Sequence, residues 1–599
     1  MSKVKKSASV SSRPESNSKN SNLFLIGILL LTVIVFSGVV TDFFLNIDDD
    51  VYFTKNPFIK SLSFDNLKLI FTKPYGGNYH PLTTILSAIE YSWFGMKAKP
   101  FHAVSLFVHL LNTVLVYLFA GKFSKRTDFK IIVTALFAIH PMHLESVAWI
   151  ADQTDLFYAT FFISGMIFYI NYIKSNRIFD LLLVYVFFVF SLLCKPAAIA
   201  FPGILFLLDY YFAGKIISKP LQKLPFILMA AAFAYVTYFT LHVSNTISKE
   251  LLPNYSLIDR FFIANYTFSY YIINLFAPFN LAGLHLALKK LPWIYYAAPA
   301  FTLAVVFVVL KAKTFRKELF FALGFYLLTI GLVLQLIPTG YNIVAERYTY
   351  IPYLGFFLLL AWLYEAAANG KFENSFFRSY YQFIAVGAII FFYVITAMAT
   401  ADWKSLLEFN RNIAKKNEKS SYAQLSAAIQ EQIAGNTEAA EQGLQNASEL
   451  DPTNAEISSL KGQMYFQSGN YQKAVDCFLN AKTLKDSLVG IDNFLASTYF
   501  SLQKYDSSVF YFDKVLKKDS SINVLQDKAT SLFMLNRFDE AASLYTFTLG
   551  MDSLSGRAFS ERGACYQKLG KMDLACQDWN KALELGREEC RADIQNNCH

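Results

Sequence analysis

Charged and polar residues gather in a few clusters along a mostly apolar chain, and their types suit chemistry on a phosphate-bearing substrate. The first cluster is NIDDDVYFTKNP, in which Asp48 and Asp49 could act as a general base or bind a divalent cation. The alternative is a solvated acidic loop, because consecutive carboxylates repel one another and add nothing to a helix interior.

Two further clusters contain histidines. GGNYHPLTT places His80 before a proline, and AIHPMHLESVAWIADQTD carries His140, His143, Glu145 and Asp155 at the end of an apolar segment. The spacing of His140 and His143 favours one helical face. The pattern is not the HExxH zinc motif. Turn formation and structural hydrogen bonding are the alternatives to function, although ionisable groups at membrane depth are usually functional.

Two cations complete the set. Lys195 lies in LLCKPAA, and Arg347, followed by Tyr348, lies in VAERYTYIP, where Glu346 could orient or neutralise it. Either cation could extend to the lipid headgroups. Alternatively, both could bind a lipid phosphate, the arginine through two parallel bonds and the lysine as a point charge.

The composition indicates that the elements positioning these residues are membrane helices. Hydrophobic residues make up 54% of the 599 residues, and charged residues only 17%. The mean hydropathy is +0.33. These values exclude a soluble enzyme, a disordered scaffold and a small disulfide-rich protein. The net charge of +9 does not point to nucleic acid, because the basic excess lies before residue 400, between apolar segments.

Eleven apolar segments predict membrane crossings after a polar, disordered cytoplasmic tail over residues 1–21. The segments are 23–40, 101–120, 131–150, 156–173, 179–194, 197–213, 224–243, 293–310, 318–337, 348–366 and 379–400. The apolar stretch 261–278 contains Asn, Thr, Ser and Tyr and is predicted to be interfacial or re-entrant. The basic clusters then fall on the cytoplasmic side, whereas the loop 42–100 and everything after residue 400 lie outside.

The chain after residue 415 contains a repeat. Thr437, Tyr471, Tyr505, Phe538 and Met572 occupy equivalent positions at spacings of 34, 34, 33 and 34 residues. Small residues recur three positions later or nearby, and aromatic residues recur in the preceding segment. This period resembles the tetratricopeptide repeat and predicts about five repeats over residues 416–599, stacked into an α-solenoid with a concave binding face.

Six cysteines are too few for a disulfide framework, and five of them follow residue 470. We expect isolated core thiols in preference to one or two bridges.

Several motifs follow one another along the chain in the order in which one protein family carries them. They are DDDVYFTKNP, NYHPLTTILSAIEYSWFG, FHAVSLFVHLLNTVLVYLF, ALFAIHPMHLESVAWIADQTDLF, CKPAAIAFPGILFLLDYY and ERYTYIPYLGFFLLL. Over residues 20–415 the chain resembles the polytopic tetratricopeptide proteins related to the TMTC O-mannosyltransferases. The resemblance implies an all-α, GT-C-type transmembrane domain over residues 22–415, which would transfer a sugar from a polyprenyl-phosphate carrier to an acceptor outside the cytoplasm.

The resemblance also implies roles for particular residues. Asp49 or Asp48 would act as the base, and Lys195 and Arg347 would stabilise the departing lipid phosphate. A divalent cation, Mg²⁺ or Mn²⁺, could bind at Asp49, His140 and His143, but carboxylates also serve such enzymes without a metal. The charged pair that often precedes Asp155 in the family is Gln153-Thr154 here, which puts substrate choice in doubt.

The expected acceptor is a protein Ser/Thr hydroxyl or a glycan, and the repeats would bind the acceptor or a protein partner. The chain would be surrounded by membrane lipid, in a bacterial inner membrane with periplasmic repeats or in an ER membrane with lumenal repeats. Two alternatives remain open. One is a membrane-anchored scaffold for envelope assembly without catalysis, and the other is a transporter of lipid-linked glycans.

Overall fold

The computed structural model describes residues 18–45, 48–243, 255–279, 281–286, 291–312, 314–336, 342–371, 375–517 and 521–598. The fold is all-α, as predicted, apart from one two-stranded sheet. Its contacts divide the chain into two compact units, one reaching to Asn417 and one beginning at Glu418.

The first unit contains sixteen α-helices in the described residues, and most of them are long and apolar. They are Ser18–Phe36 (α1), Phe64–Thr72 (α2), Pro81–Phe94 (α3), Ala98–Phe123 (α4), Thr127–Ile139 (α5), Leu144–Ala148 (α6), Gln153–Ser175 (α7), Ile178–Cys194 (α8), Phe201–Ala213 (α9), Pro220–Val243 (α10), Leu257–Asn274 (α11), Trp293–Lys311 (α12), Arg316–Ile330 (α13), Tyr353–Ala368 (α14), Ser375–Ala399 (α15) and Leu406–Lys416 (α16). Strands His285–Leu286 (β1) and Asn342–Val344 (β2) pair antiparallel.

Each of the eleven predicted crossings falls on one or more of these helices, and α11 occupies the stretch predicted to be interfacial. By length and composition, seven described helical segments can cross a membrane, and the bent pair Thr127–Ile139 and Pro141–Ala148 would be an eighth. Ile178–Cys194 and Tyr353–Ala368 are apolar but shorter. The count of eleven crossings and the domain limits therefore remain predictions.

One predicted crossing, 131–150, is not a single helix. The chain bends by 53° between α5 and the segment that begins at Pro141. Proline lacks the N–H that would continue the helix, and it drives the preceding residue, His140, into an extended conformation with φ −65° and ψ 130°. The break turns the segment after α5 into a short 3₁₀ turn followed by α6, which carries Glu145.

Short elements between α1 and α4 form the loop that follows the first predicted crossing. A wide helical turn, Asp50–Thr54, follows the acidic cluster. Helix α3 begins at a proline directly after His80, and the Thr83 hydroxyl in its first turn donates to the Cys194 carbonyl at 3.2 Å. That bond holds the start of α3 against the end of α8, next to Lys195.

The second unit has the regular helix pairs that the period predicts. The first helices of the pairs are Ser421–Ile433 (α17), Ala455–Gln467 (α19), Ile491–Ser501 (α21), Ile522–Met534 (α23) and Gly556–Lys568 (α25). The second helices are Thr437–Leu450 (α18), Tyr471–Leu484 (α20), Tyr505–Leu516 (α22), Phe538–Met551 (α24) and Met572–Glu584 (α26), before a last helix, Cys590–Asn597 (α27).

Glycines permit close helix packing inside these pairs. A Cβ placed on Gly462 would lie 2.6 Å from the Phe478 ring, and one on Gly563 would lie 2.7 Å from the Trp579 indole nitrogen. Glycine at these two positions is therefore explained by the aromatic side chain that lies across it.

The expectation of isolated thiols is wrong for one pair. Cys576 on α26 forms a disulfide with Cys598, which follows α27, and their Cα atoms are 5.7 Å apart. The bond attaches the end of the chain to the last repeat. The number and spacing of the cysteines did not predict this disulfide, because they do not show that the chain turns back after α26 and brings α27 against it.

Candidate active site

The Asp49 carboxylate is a buried anchor for the loop, not an exposed acid. Its side chain accepts from the Leu45 N–H and the Ala151 N–H, both at 2.8 Å, and the residue is 1% exposed. Burial raises the pKa of Asp49 to about 8, although the two backbone bonds act in the opposite direction. The alternative of a solvated acidic loop is therefore wrong for Asp49.

Asp48 is in a different setting from its neighbour. It is half-buried, and its charge acts on the buried Arg347 and on Tyr52. Its backbone carbonyl accepts from the amides of Val51 and Tyr52, so the wide turn fixes its position. Of the two adjacent carboxylates, Asp48 is the more accessible to a substrate.

Arg347 is held by two carboxylates that come from the segment after the helix break. Its guanidinium donates to Glu145, its backbone N–H donates to the second Glu145 oxygen at 2.8 Å, and its Nε lies 3.5 Å from Asp152. The guanidinium carbon also lies 5.1 Å from the centres of the Trp149 and Tyr348 rings. With a side chain 12% exposed, Arg347 is a fixed cation.

Glu346 does not partner Arg347, contrary to one expectation. Its carboxylate accepts from the Ala282 N–H at 3.0 Å and from the His285 Nε2–H at 2.8 Å. Burial alone would raise the pKa of Glu346, but His285 and the Ala282 amide lower it to about 2. Glu346 therefore links Ala282 and strand β1 to the turn that carries Arg347.

Lys195 lies beside the start of α3. Its ammonium donates to Asp155 at 2.6 Å and lies 5.9 Å from the Tyr348 ring. His80 is near enough for the Lys195 charge to act on it, and burial together with that charge lowers the pKa of His80 to about 3. The Lys195 side chain is 18% exposed, compared with 5% for Asp155.

His140 and His143 lie apart from this group and have structural partners. The His140 Nε2–H donates to the Leu275 carbonyl at 3.1 Å, and the His143 Nδ1–H donates to the Phe137 carbonyl at 2.8 Å. Within the described ranges, no set of three or more His, Cys, Asp or Glu residues is arranged to hold a metal ion. The structure thus does not bring Asp49, His140 and His143 together as a ligand set.

The structure gathers the remaining predicted residues into one cluster. It contains Asp48, His80, Glu145, Asp152, Asp155, Lys195, Arg347 and Tyr348. Four carboxyl groups surround two cations, so each cation already has an acidic partner. Such an arrangement can orient a proton acceptor and can offer an ammonium to a phosphate, since Asp155 takes only one of the three N–H donors of Lys195.

Three contributing residues were not predicted. Trp149 stacks on Arg347, His285 binds Glu346, and Glu90, 4% exposed, accepts from Gln153 at 3.2 Å. Trp149 is four residues after Glu145, one helical turn away, which is the available signal in the sequence. His285 and Glu90 reach their partners only through the tertiary fold.

Comparisons with known protein families identify the repeats of the second unit as tetratricopeptide repeats. The family description "Tetratricopeptide repeat" matches residues 432–486 and 527–593, and a second model of that description matches residues 493–520. Among solved structures, a tetratricopeptide protein named YrrB is 17% identical, covers 31% of this chain and 97% of its own, and superposes with a TM-score of 0.29.

Curated relatives extend the comparison into the membrane unit. A protein O-mannosyl-transferase of Caenorhabditis elegans is 23% identical over 68% of this chain and 60% of its own. Human protein O-mannosyl-transferase TMTC3 is 22% identical over 85% of this chain and 58% of its own. The chain is a TMTC-like tetratricopeptide membrane protein. The predicted resemblance is confirmed, and the long apolar helices together with these relatives fit an integral membrane protein.

The mouse TMTC4 protein O-mannosyl-transferase is 28% identical over 23% of this chain. The chain spans about 60% of the length of the curated relatives that it matches most fully.

Proposed function

We propose that this protein is a membrane glycosyltransferase that moves a sugar from a polyprenyl-phosphate donor to a Ser or Thr hydroxyl of a protein outside the cytoplasm. The observation that carries the proposal is the convergence of Asp48, Lys195 and Arg347. These residues are far apart in sequence, yet their charges lie in one cluster beside long apolar helices. A scaffold or anchor would not need buried ionisable groups, which are costly to maintain.

Asp48 is the proposed base. It accepts the proton of the acceptor hydroxyl while the hydroxyl oxygen forms a bond to the anomeric carbon. The bond from that carbon to the phosphate oxygen breaks, and the lipid phosphate leaves with the electron pair. Asp49 is unsuited to this role, because both of its oxygens already accept backbone N–H bonds.

Lys195 is the proposed phosphate ligand. Its ammonium is the more exposed of the two cations, and it has donors beyond the one that Asp155 takes. His80 and Tyr348 lie beside it and would flank the phosphate. Arg347 keeps Glu145 and Asp152 in place and stabilises developing negative charge from a short distance.

Two features support the proposed side of the membrane. The eleven-crossing prediction places the repeats outside, and disulfides such as Cys576–Cys598 persist in oxidising compartments. Both support periplasmic repeats in a bacterial inner membrane, or lumenal repeats in an ER membrane. The repeats would hold the protein acceptor.

The test is a transfer assay with the purified full chain in lipid nanodiscs. Polyprenyl-phosphate sugars, mannose first, are offered with Ser/Thr peptides, and the products are measured by mass spectrometry. We expect transfer from at least one donor, and a loss of kcat/KM for the donor of about 100-fold in Lys195→Ala. The matched control is Lys99→Ala, whose side chain is 62% exposed and pairs only loosely with Asp42.

Absence of transfer with every donor, in protein that is folded and binds partners through its repeats, would reject the proposal and favour a scaffold. Equal donor use by Lys195→Ala and wild type would reject the phosphate role.

A further inference from the structure

Three helices of the membrane unit end at one place, and two lysines lie there together. Lys122 is in the last turn of α4, Lys174 in the last turn of α7, and Phe212 in the last turn of α9. The Lys174 ammonium donates to the Lys122 carbonyl at 3.1 Å and lies 4.9 Å from the centre of the Phe212 ring. Asp155 of the proposed active site is in the first turn of α7, so the lysines lie about 30 Å along that helix from it.

Both ammonium groups bind neutral acceptors. Lys122 donates to the Asn171 side-chain oxygen at 2.7 Å, and Lys174 donates to a backbone carbonyl. In the described residues neither lysine forms an ion pair with a carboxylate, and the charge that acts on Lys174 is that of Lys122. Two like charges held close together repel each other. An anion that contacts both ammonium groups would replace this repulsion with attraction.

Membrane topology and helix dipoles explain each lysine singly but not the pair. Basic residues are favoured on the cytoplasmic side, and a helix carboxyl end favours a cation through its partial negative charge. Neither effect requires two ammonium groups to lie together. Other cations at these helix ends have acidic partners, because Lys223 pairs with Asp209, where both side chains are 2% exposed, and Arg126 pairs with Asp128 at 2.6 Å. The two lysines therefore differ from the cations around them.

The helix that follows Lys174 presents an apolar, exposed surface. The chain reverses at Asn176, with φ 54°, and α8 then packs along α7. At the start of α8, Ile178 and Phe179 are each 65% exposed, and Leu182 is 54% exposed. A phosphate that carries acyl chains can contact both the ammonium groups and this surface, whereas a free phosphate can use only the ammonium groups. The combination favours a phospholipid.

We propose that Lys122 and Lys174 bind the phosphate of an anionic phospholipid, whose acyl chains lie along α8. Each ammonium has N–H donors beyond the one that its neutral acceptor takes, and phosphate oxygens accept strongly from such donors. The Phe212 ring supports the Lys174 ammonium from one side through a cation–π contact. The predicted topology assigns this lipid to the cytoplasmic leaflet, and the proposal does not depend on the proposed sugar transfer.

The experiment measures lipid binding to the purified full chain in detergent by native mass spectrometry, with phosphatidylglycerol as the probe and phosphatidylcholine as the neutral comparison. We expect wild type to bind phosphatidylglycerol more tightly. Lys122→Gln and Lys174→Gln should each weaken this binding about fivefold, and the double variant about 25-fold. The double arginine variant, Lys122→Arg with Lys174→Arg, should stay within about threefold of wild type because it keeps both charges.

The matched control is Lys311→Gln. Lys311 is an exposed lysine in the last turn of α12, and its ammonium also lies over a ring, 5.6 Å from the centre of Phe307. The control should bind phosphatidylglycerol within about twofold of wild type, because one surface charge contributes little without a second. Thermal melting without added lipid checks that each variant is folded, and the single variants decide if the double variant is not.

Three results would overturn the proposal. The first is equal affinity of wild type for phosphatidylglycerol and phosphatidylcholine. The second is a loss in Lys311→Gln as large as in the single variants of the site, which would show that net charge and not this pair attracts the lipid. The third is displacement of phosphatidylglycerol by inorganic phosphate at an ionic strength matched with chloride, which would show a site for free phosphate and not for a lipid.

Discussion

The two units of this protein use charged side chains in opposite ways. In the membrane unit, Asp49, Glu145 and Asp155 are 1–3% exposed, and each is bonded to a specific partner. In the repeat unit, many ion pairs lie on the surface, such as Lys581–Glu584, whose side chains are 48% and 65% exposed. Buried ionisable groups are costly, so their concentration around one turn of the membrane unit indicates function, whereas surface pairs contribute little.

The two units also differ in whether their contacts join residues that are close together or far apart in the sequence. The repeats are stabilised by contacts between neighbouring helices, so that a period of about 34 residues is visible in the sequence. The cluster joins residues that are far apart in sequence, as in the Arg347–Glu145 bond, which spans 202 positions. A change in the repeats should therefore act locally, and a change in the cluster should act on the whole membrane unit.

The largest effect should come from Arg347→Ala. It leaves Glu145 and Asp152 buried without their cation, and breaking such a pair costs about 3–5 kcal/mol. Thermal melting in nanodiscs measures the loss, and Arg347→Lys should recover only part of it because lysine lacks the planar fork.

The matched variant in the repeats is Arg537→Ala, which removes the bidentate pair with the Glu540 carboxylate. These side chains are 45% and 58% exposed, so water can replace the pair and the loss should be much smaller. Equal losses in the two variants would contradict the contrast between the units.

Asp49→Asn should have the next largest effect on stability. The substitution replaces one acceptor oxygen with an amide NH2 group, which cannot accept from the Leu45 or the Ala151 N–H. An unsatisfied buried donor costs about 1–3 kcal/mol. The melting temperature should fall, and transfer activity should fall because the loop that carries Asp48 is loosened. A variant with wild-type melting and no activity would show instead that Asp49 is the catalytic base.

The smallest effect should come from Gly563→Ala. The added Cβ would meet the Trp579 ring, and overpacking costs about 1–3 kcal/mol, offset in part by the gain of about 0.5–1 kcal/mol from replacing a helix glycine. We expect a net loss of about 1 kcal/mol in the repeats and no change in donor use.

Gly550→Ala on α24 is the control, because nothing lies within 4 Å of its Cβ, so it should be neutral or slightly stabilising. A loss of donor use in Gly563→Ala would show that the units are more tightly coupled than their separate cores imply.

Much of the fold was predictable from sequence. Apolar segment length identified the helices of the membrane unit, and the period identified the repeats. The break at Pro141 falls inside the crossing predicted over 131–150, although Pro141 also suits the first turn of a helix that begins at the interface. Hydropathy is averaged over a window of residues, so the average does not reveal that one residue, Pro141, lacks a backbone N–H.

The residues that form the candidate site could be predicted from the sequence, but the partners that they bind could not. The sequence shows three charged residues in a mostly apolar chain, Asp48, Lys195 and Arg347. Their spacing does not show that Arg347 binds Glu145 and not the adjacent Glu346. The pairing depends on how the turn after β2 packs on α6, which is a tertiary property. The same holds for Asp49, whose burial follows from bonds to backbone 102 residues away.

The most direct test of the central claim is the transfer assay applied to Asp48→Asn and Asp50→Asn. Asp50 is adjacent, paired with Lys55 at 2.8 Å, and 36% exposed, so it carries a similar charge without facing the cluster. We expect Asp48→Asn to lose transfer by at least about 100-fold with unchanged melting, and Asp50→Asn to stay within about twofold of wild type. Full activity in Asp48→Asn, or equal loss in both variants, would contradict the assignment of this cluster as a sugar-transfer site.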